Sequence, residues 1–182
     1  MIPPSSRRLF FAIWPDAPAR ELLRSLAHDV AKRRDGRAPR EDNLHVTLAF
    51  LGTVAASRIA LLESIGAGCA RRCASFDLSL DALGGTSHGI AWLAPRIVPA
   101  PLASLHEALT AALAGGGFTV EQRRFRPHVT LARNCTKPPR RGAVAPIGWR
   151  VNRFSLVAST PSARGSLYSE VSTWPLASRA SR

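Results

Sequence analysis

The 182-residue chain is 46% hydrophobic, enough for one compact domain or two fused half-domains, and no apolar run approaches the ~20 residues of a membrane helix. It carries 25 basic against 12 acidic residues, a formal net charge of +13, and every basic residue except Lys32 and Lys137 is arginine, whose planar fork suits phosphate. The apolar stretch 9–13 is too short for a signal segment and the three cysteines are an odd number, so a cytoplasmic protein without a disulfide framework is expected.

Residues 8–14 (RLFFAIW) read as a buried strand. Pro15, Asp16 and Pro18 make a turn that opens a helix, and across 19–34 the apolar Leu22, Leu23, Leu26 and Val30 recur at helical spacing, with Gly36 as the stop. A polar loop, 37–43, leads into an apolar strand, 44–51, closed by Gly52. Residues 56–72 are helical, with Ile59, Leu62, Ile65 and Cys69 on one stripe. Residues 76–80 alternate in strand period, Gly84 and Gly85 turn the chain, and 90–93 pair back as a hairpin.

A third helix runs over 101–114 with Leu102, Leu105, Leu109 and Leu113 inward, ended by three glycines. A short strand is expected at 118–121 and a second apolar strand at 128–133. The Pro-, Gly- and Arg-rich stretch 134–148 reads as a surface loop. Two more strands, 149–159 and 167–174, precede a frayed tail at 177–182.

This order predicts an α+β fold with helices on a largely antiparallel sheet. Strand–helix–strand occurs once in each half, a sign of duplication. Cys69 and Cys73 share a helix face, and no nearby His or Cys completes a zinc set, so they read as packing residues.

Five consecutive residues, HVTLA, begin at His45 and recur 83 positions later at His128. In a strand, His45 and Thr47 share one face while Val46 and Leu48 share the other; the same holds for His128 and Thr130. Each copy offers one imidazole and one hydroxyl above an apolar face. If the two strands meet, the set suits phosphodiester hydrolysis. One imidazole takes a proton from water, the other protonates the leaving oxygen, and the hydroxyls hold the non-bridging oxygens. Positioned donors of this kind call for no metal and no cofactor. His28 and His106, on predicted helices, and His88, in a Gly-rich turn, read as surface or capping residues.

The two motifs with their flanks, NLHVTLAFLG (43–52) and FRPHVTLAR (125–133), resemble those of the 2H phosphoesterase superfamily, and of its RNA 2′,3′-cyclic phosphodiesterase branch, historically called 2′-5′ RNA ligase. The opening strand and Phe154, Gly165, Tyr168 and Trp174 follow the same pattern. The resemblance implies one domain over 1–182, built as two pseudo-symmetric lobes whose antiparallel sheets form a central cleft with helices outside. It implies His45 as proton donor to the leaving oxygen and His128 as proton acceptor from water. Thr47 and Thr130 would hold the phosphate, joined by Arg133 and, in second place, Arg126. Phe11 or Tyr168 would stack on a base, although core burial suits Phe11 better.

The implied partner is RNA ending in a 2′,3′-cyclic phosphate, or a nucleoside cyclic phosphate, opened to a 2′-phosphomonoester by a monomeric enzyme. The long Arg/Pro loop at 137–141 departs from the family pattern. Alternatives are 2′-5′ ligation by the reverse reaction, a phosphodiesterase of small cyclic nucleotides, and an RNA-end-binding protein without catalysis.

Overall fold

The computed structural model describes residues 6–137, 142–163 and 165–178. Its elements, in chain order, are β1 (Ser6–Ile13), α1 (Ala17–Arg33), β2 (Val46–Ala55), α2 (Ile59–Ala70), β3 (Phe76–Gly85), β4 (Ala91–Ala94), α3 (Ala100–Gly115), β5 (Val129–Ala132), β6 (Gly142–Val151), β7 (Arg153–Ser162) and β8 (Gly165–Pro175).

The ends of α1 show why the chain folds as it does locally. Asp16 accepts the Ala19 amide at 2.9 Å, Pro18 lies in the first turn, and Lys32 and Arg33 face the negative end of the helix dipole. Asp35, at φ 49°, then reverses the chain and the Gly36 amide donates to the Ala31 carbonyl at 3.0 Å. The inward face is Ala19, Leu23, Ala27, Val30 and Ala31. Leu22, expected inward, is 55% exposed because it lies about 100° around the helix from Leu23. In α3 the stripe Leu102, Leu105, Leu109 and Leu113 is fully buried, as its spacing predicts. Each such leucine contributes about 1.5–3 kcal/mol by leaving water.

Among the described residues the strands form one eight-stranded antiparallel sheet, ordered β6-β3-β4-β5-β2-β1-β7-β8. The fold is α+β and two-lobed, the lobes being four-stranded halves of this sheet. They meet where β5 pairs β2 through Val46 and Val129. One half is the middle of the chain; the other combines its two ends. The helices cross over: α1 packs on β5 and β6, α3 on β2, and α2 on α3, β7 and β8.

Several sequence expectations change. Residues 118–121 are irregular rather than a strand, because β5 is already flanked by β4 and β2. Residues 142–148 are not loop but the start of β6, an edge strand in which Pro146 is tolerated. Trp149 belongs to β6, and the chain reverses at Asn152 before β7. Gly84 and Gly85 lie inside β3, and the hairpin turns at 86–89, closed by the Thr86 amide donating to the Ile90 carbonyl at 2.9 Å. Gly84 is required because the Trp92 indole lies across it; a Cβ there would come within 2.1 Å of the ring.

Of the expected frayed tail, Ala177 is instead tied down. It bridges Ala74, and its carbonyl accepts the Ser75 amide at 2.8 Å. Residues 179–182, and 138–141 of the Arg/Pro loop, lie outside the described residues.

Candidate active site

Strands β2 and β5 lie side by side at the centre of the sheet, so the two HVTLA copies are neighbours. An antiparallel register through Val46–Val129 sets Thr47 opposite His128 and His45 opposite Thr130, all four on the face away from the core. Each motif strand then carries a bulge at the same point. In β2, Thr47 pairs Ala12 and Ala49 pairs Phe11, leaving Leu48 as the extra residue. In β5, Thr130 pairs Trp92 and Ala132 pairs Ala91, leaving Leu131 as the extra residue. An extra residue reverses the alternation beyond it. Phe50 and Arg133, which simple alternation sends to the core face, therefore both enter the cleft.

The two imidazoles are held identically. His45 Nδ1 lies 2.7 Å from the Asn43 carbonyl and His128 Nδ1 lies 2.7 Å from the Arg126 carbonyl. A carbonyl only accepts, so Nδ1–H is the donor in both rings and Nε2 is left to exchange protons. On neutral His45, Nε2 accepts the Thr47 hydroxyl at 3.1 Å.

Their surroundings differ. His45 is enclosed by Phe10, Trp14 and Tyr168, with ring centroids at 5.1, 5.3 and 5.3 Å, whereas the ring beside His128 is Trp92 at 6.0 Å. Burial pushes the His45 pKa down to about 4, and the nearby charges of His128 and Arg133 act the same way against the Asn43 hydrogen bond.

Both histidines, both threonines, Arg133 and Tyr168 line one cavity of about 990 Å³, near the top of the range for ligand pockets. Two sequence candidates do not join them. Phe11 is fully buried against Phe154 and Trp174, on the core face of β1; its neighbour Phe10 faces the cleft instead. The Arg126 side chain is exposed and outside the cavity, and what Arg126 supplies is its carbonyl. Among the described residues no group of three or more His, Cys, Asp or Glu could hold a metal ion.

The family model described as the 2′-5′ RNA ligase superfamily matches residues 14–161. The chain belongs to the 2′-5′ RNA ligase superfamily, the 2H phosphoesterases. Within this superfamily it is 35% identical to the RNA 2′,3′-cyclic phosphodiesterase of Escherichia coli (strain K12), over 93% of this chain and 97% of that one. It also matches solved structures of E. coli LigT. That complexed with 3′-AMP gives a TM-score of 0.80 at 34% identity, covering 94% of this chain and 98% of LigT. That complexed with ATP gives 0.76 at 34% identity, covering 94% and 99%.

This 2H phosphoesterase has site residues that motif reading missed. Arg8, Phe10, Arg37, Arg40, Asn43 and Phe50 also line the cavity. Asn43 carried a signal, since it stands two residues before His45 as Arg126 stands before His128. Its side chain also donates to the Ser166 carbonyl at 2.8 Å, fixing the loop to β8. His106 is not a surface residue. Its Nδ1–H donates to the Leu48 carbonyl at 2.8 Å, at the β2 bulge, and its ring stacks flat on Phe125 at 3.8 Å. One side chain of α3 thus braces both motifs.

Proposed function

We propose that this protein hydrolyses RNA 2′,3′-cyclic phosphate ends to 2′-phosphomonoesters by acid–base catalysis between His45 and His128, without a metal ion. The observation that carries the proposal is the convergence of two imidazoles, each with Nε2 free of the backbone, and two threonine hydroxyls in one arginine-lined cleft. Water attacks phosphorus as His128 Nε2 takes its proton. The bond from phosphorus to the 3′ oxygen breaks as His45 Nε2–H protonates that oxygen, leaving a 2′-phosphate and a 3′-hydroxyl. Thr47, Thr130 and Arg133 hold the non-bridging oxygens as charge builds on them. In the free protein His45 is held neutral. The bound phosphate anion opposes the repulsion from Arg133 and favours the protonated ring that the donor role needs. The nucleotide complexes of the E. coli relative support a nucleotide-bearing substrate.

The test is an oligonucleotide ending in a 2′,3′-cyclic phosphate, assayed with EDTA present. Wild-type protein yields the 2′-phosphate, and His45→Ala and His128→Ala each lower kcat by about 10²–10⁴ while RNA binding persists. Normal turnover by both variants would falsify the mechanism; wild-type binding without turnover points to an RNA-end-binding protein.

A further inference from the structure

Arg37 lies in neither motif, yet it is locked to Arg133. The Arg37 amide donates to the Arg133 carbonyl at 2.8 Å and the Arg133 amide donates to the Arg37 carbonyl at 2.9 Å. Residues that exchange both hydrogen bonds in an antiparallel bridge sit about 5.5 Å apart with side chains on the same side. Both residues line the cavity, so two adjacent arginines flank the cleft there.

The charge in the cleft exceeds what one phosphate takes up. Arg8, Arg37, Arg40 and Arg133 line the cavity and, among the described residues, no Asp or Glu does. A cyclic phosphodiester carries one negative charge, and Arg133 with one imidazolium already covers it. Of the other three arginines, Arg40 faces Asp42 at 3.7 Å and Arg8 lies over the Phe50 ring at 4.9 Å. Arg37 has no ion-pair partner among the described residues.

From this geometry we infer that Arg37 binds the phosphodiester next along the chain, on the 5′ side of the reacting nucleotide, so that the site is built for oligonucleotide ends over mononucleotides. The inference rests on the cyclic-phosphate reading above and adds the second phosphate to it. A guanidinium grips a phosphate with two parallel N–H donors, and Arg37 lines the cleft beside Arg133. Its backbone bonds are independent of its side chain, so substitution leaves the bridge to Arg133 in place.

The experiment compares kcat/KM for uridine 2′,3′-cyclic phosphate with that for a dinucleotide ending in the same group, and for that dinucleotide with its internal phosphate replaced by a neutral methylphosphonate. In wild-type protein the charged dinucleotide is preferred over the mononucleotide by about tenfold or more, the worth of one charge-assisted contact. The methylphosphonate removes most of that preference. In Arg37→Gln the dinucleotide-to-mononucleotide ratio falls by about the same factor, and the methylphosphonate has no further effect. The log–log salt dependence of KM for the charged dinucleotide also becomes shallower by about 0.7, one single-strand phosphate contact.

A wild-type protein indifferent to the internal charge overturns the inference. So does an Arg37→Gln protein that slows both substrates in proportion, or one that still responds to the methylphosphonate. A wild-type protein that turns over none of the three substrates removes the proposed function itself.

Discussion

His45 is the residue whose surroundings do most to its chemistry. Three rings take it out of water, and the nearby Arg133 opposes its charge, so in the free protein its pKa is about 4. The unfolded imidazole, at its ordinary 6.5, takes up a proton that the folded one refuses. Stability therefore falls as pH drops below 6.5, and the loss reaches about 3 kcal/mol near pH 4. Urea melts of wild-type protein and His45→Gln at pH 7 and pH 4.5 check the sign: the wild type loses more on acidification. NMR of the His45 ring follows the same proton, with a midpoint near 4 that rises when 3′-AMP is added. A midpoint unmoved by 3′-AMP contradicts the loading of His45 by a phosphate anion.

At this scale the sequence was informative where residue identity repeats and silent where backbone geometry intervenes. Two copies of HVTLA placed His45, Thr47, His128 and Thr130. Alternation alone does not bring Arg133 or Phe50 into the cleft; bulges that no residue type announces do so. On β1, the choice between Phe10 and Phe11 depended on which face met the cleft, and both are equally apolar.

Among the elements, the three helices and the two motif strands were legible because their apolar spacing is regular; α1 and α3 also end at capping or breaking residues, whereas α2 has no side-chain cap and Gly52, expected to close the first motif strand, lies inside β2. Strand β6 was not, because its Pro, Gly and Ala content is that of a loop and only its edge position makes Pro146 acceptable. The contact between α3 and β2 was equally hidden. It depends on His106 satisfying the Leu48 carbonyl, which the bulge leaves out of the β1 register. His106→Phe retains a ring for Phe125 but loses the donor, while His106→Asn retains an N–H at nearly the same place. The expected result is a loss of about 1–3 kcal/mol in chemical denaturation for the Phe variant, the cost of a buried acceptor left unpaired. The Asn variant recovers part of it. Equal stability of the two variants assigns the bond no weight.

For the whole molecule, the crossed helices matter more than the narrow junction between the half-sheets. Residues Val46 and Val129 alone would make a weak seam, but α1 leaves one half to cover the other and α3 does the reverse. Without α1 the middle half loses its cover, and without α3 the other half keeps only α2. The protein should then unfold in one transition, with calorimetric and van't Hoff enthalpies equal; two resolved transitions would show that the halves stand independently. The strong positive charge was readable from composition, but its focus on a cavity that, among the described residues, has no acidic lining required the fold.

The paired bulges bear on which of two ester bonds is broken. A groove with a true dyad would seat a five-membered cyclic diester in two equivalent ways and release either ester oxygen. Here the matching slots hold unlike side chains, an aromatic ring in one and a cation in the other, so the two seatings differ in energy. Swapping the occupants of those two slots is therefore the change through which such a scaffold could exchange one regioisomer of its product for the other.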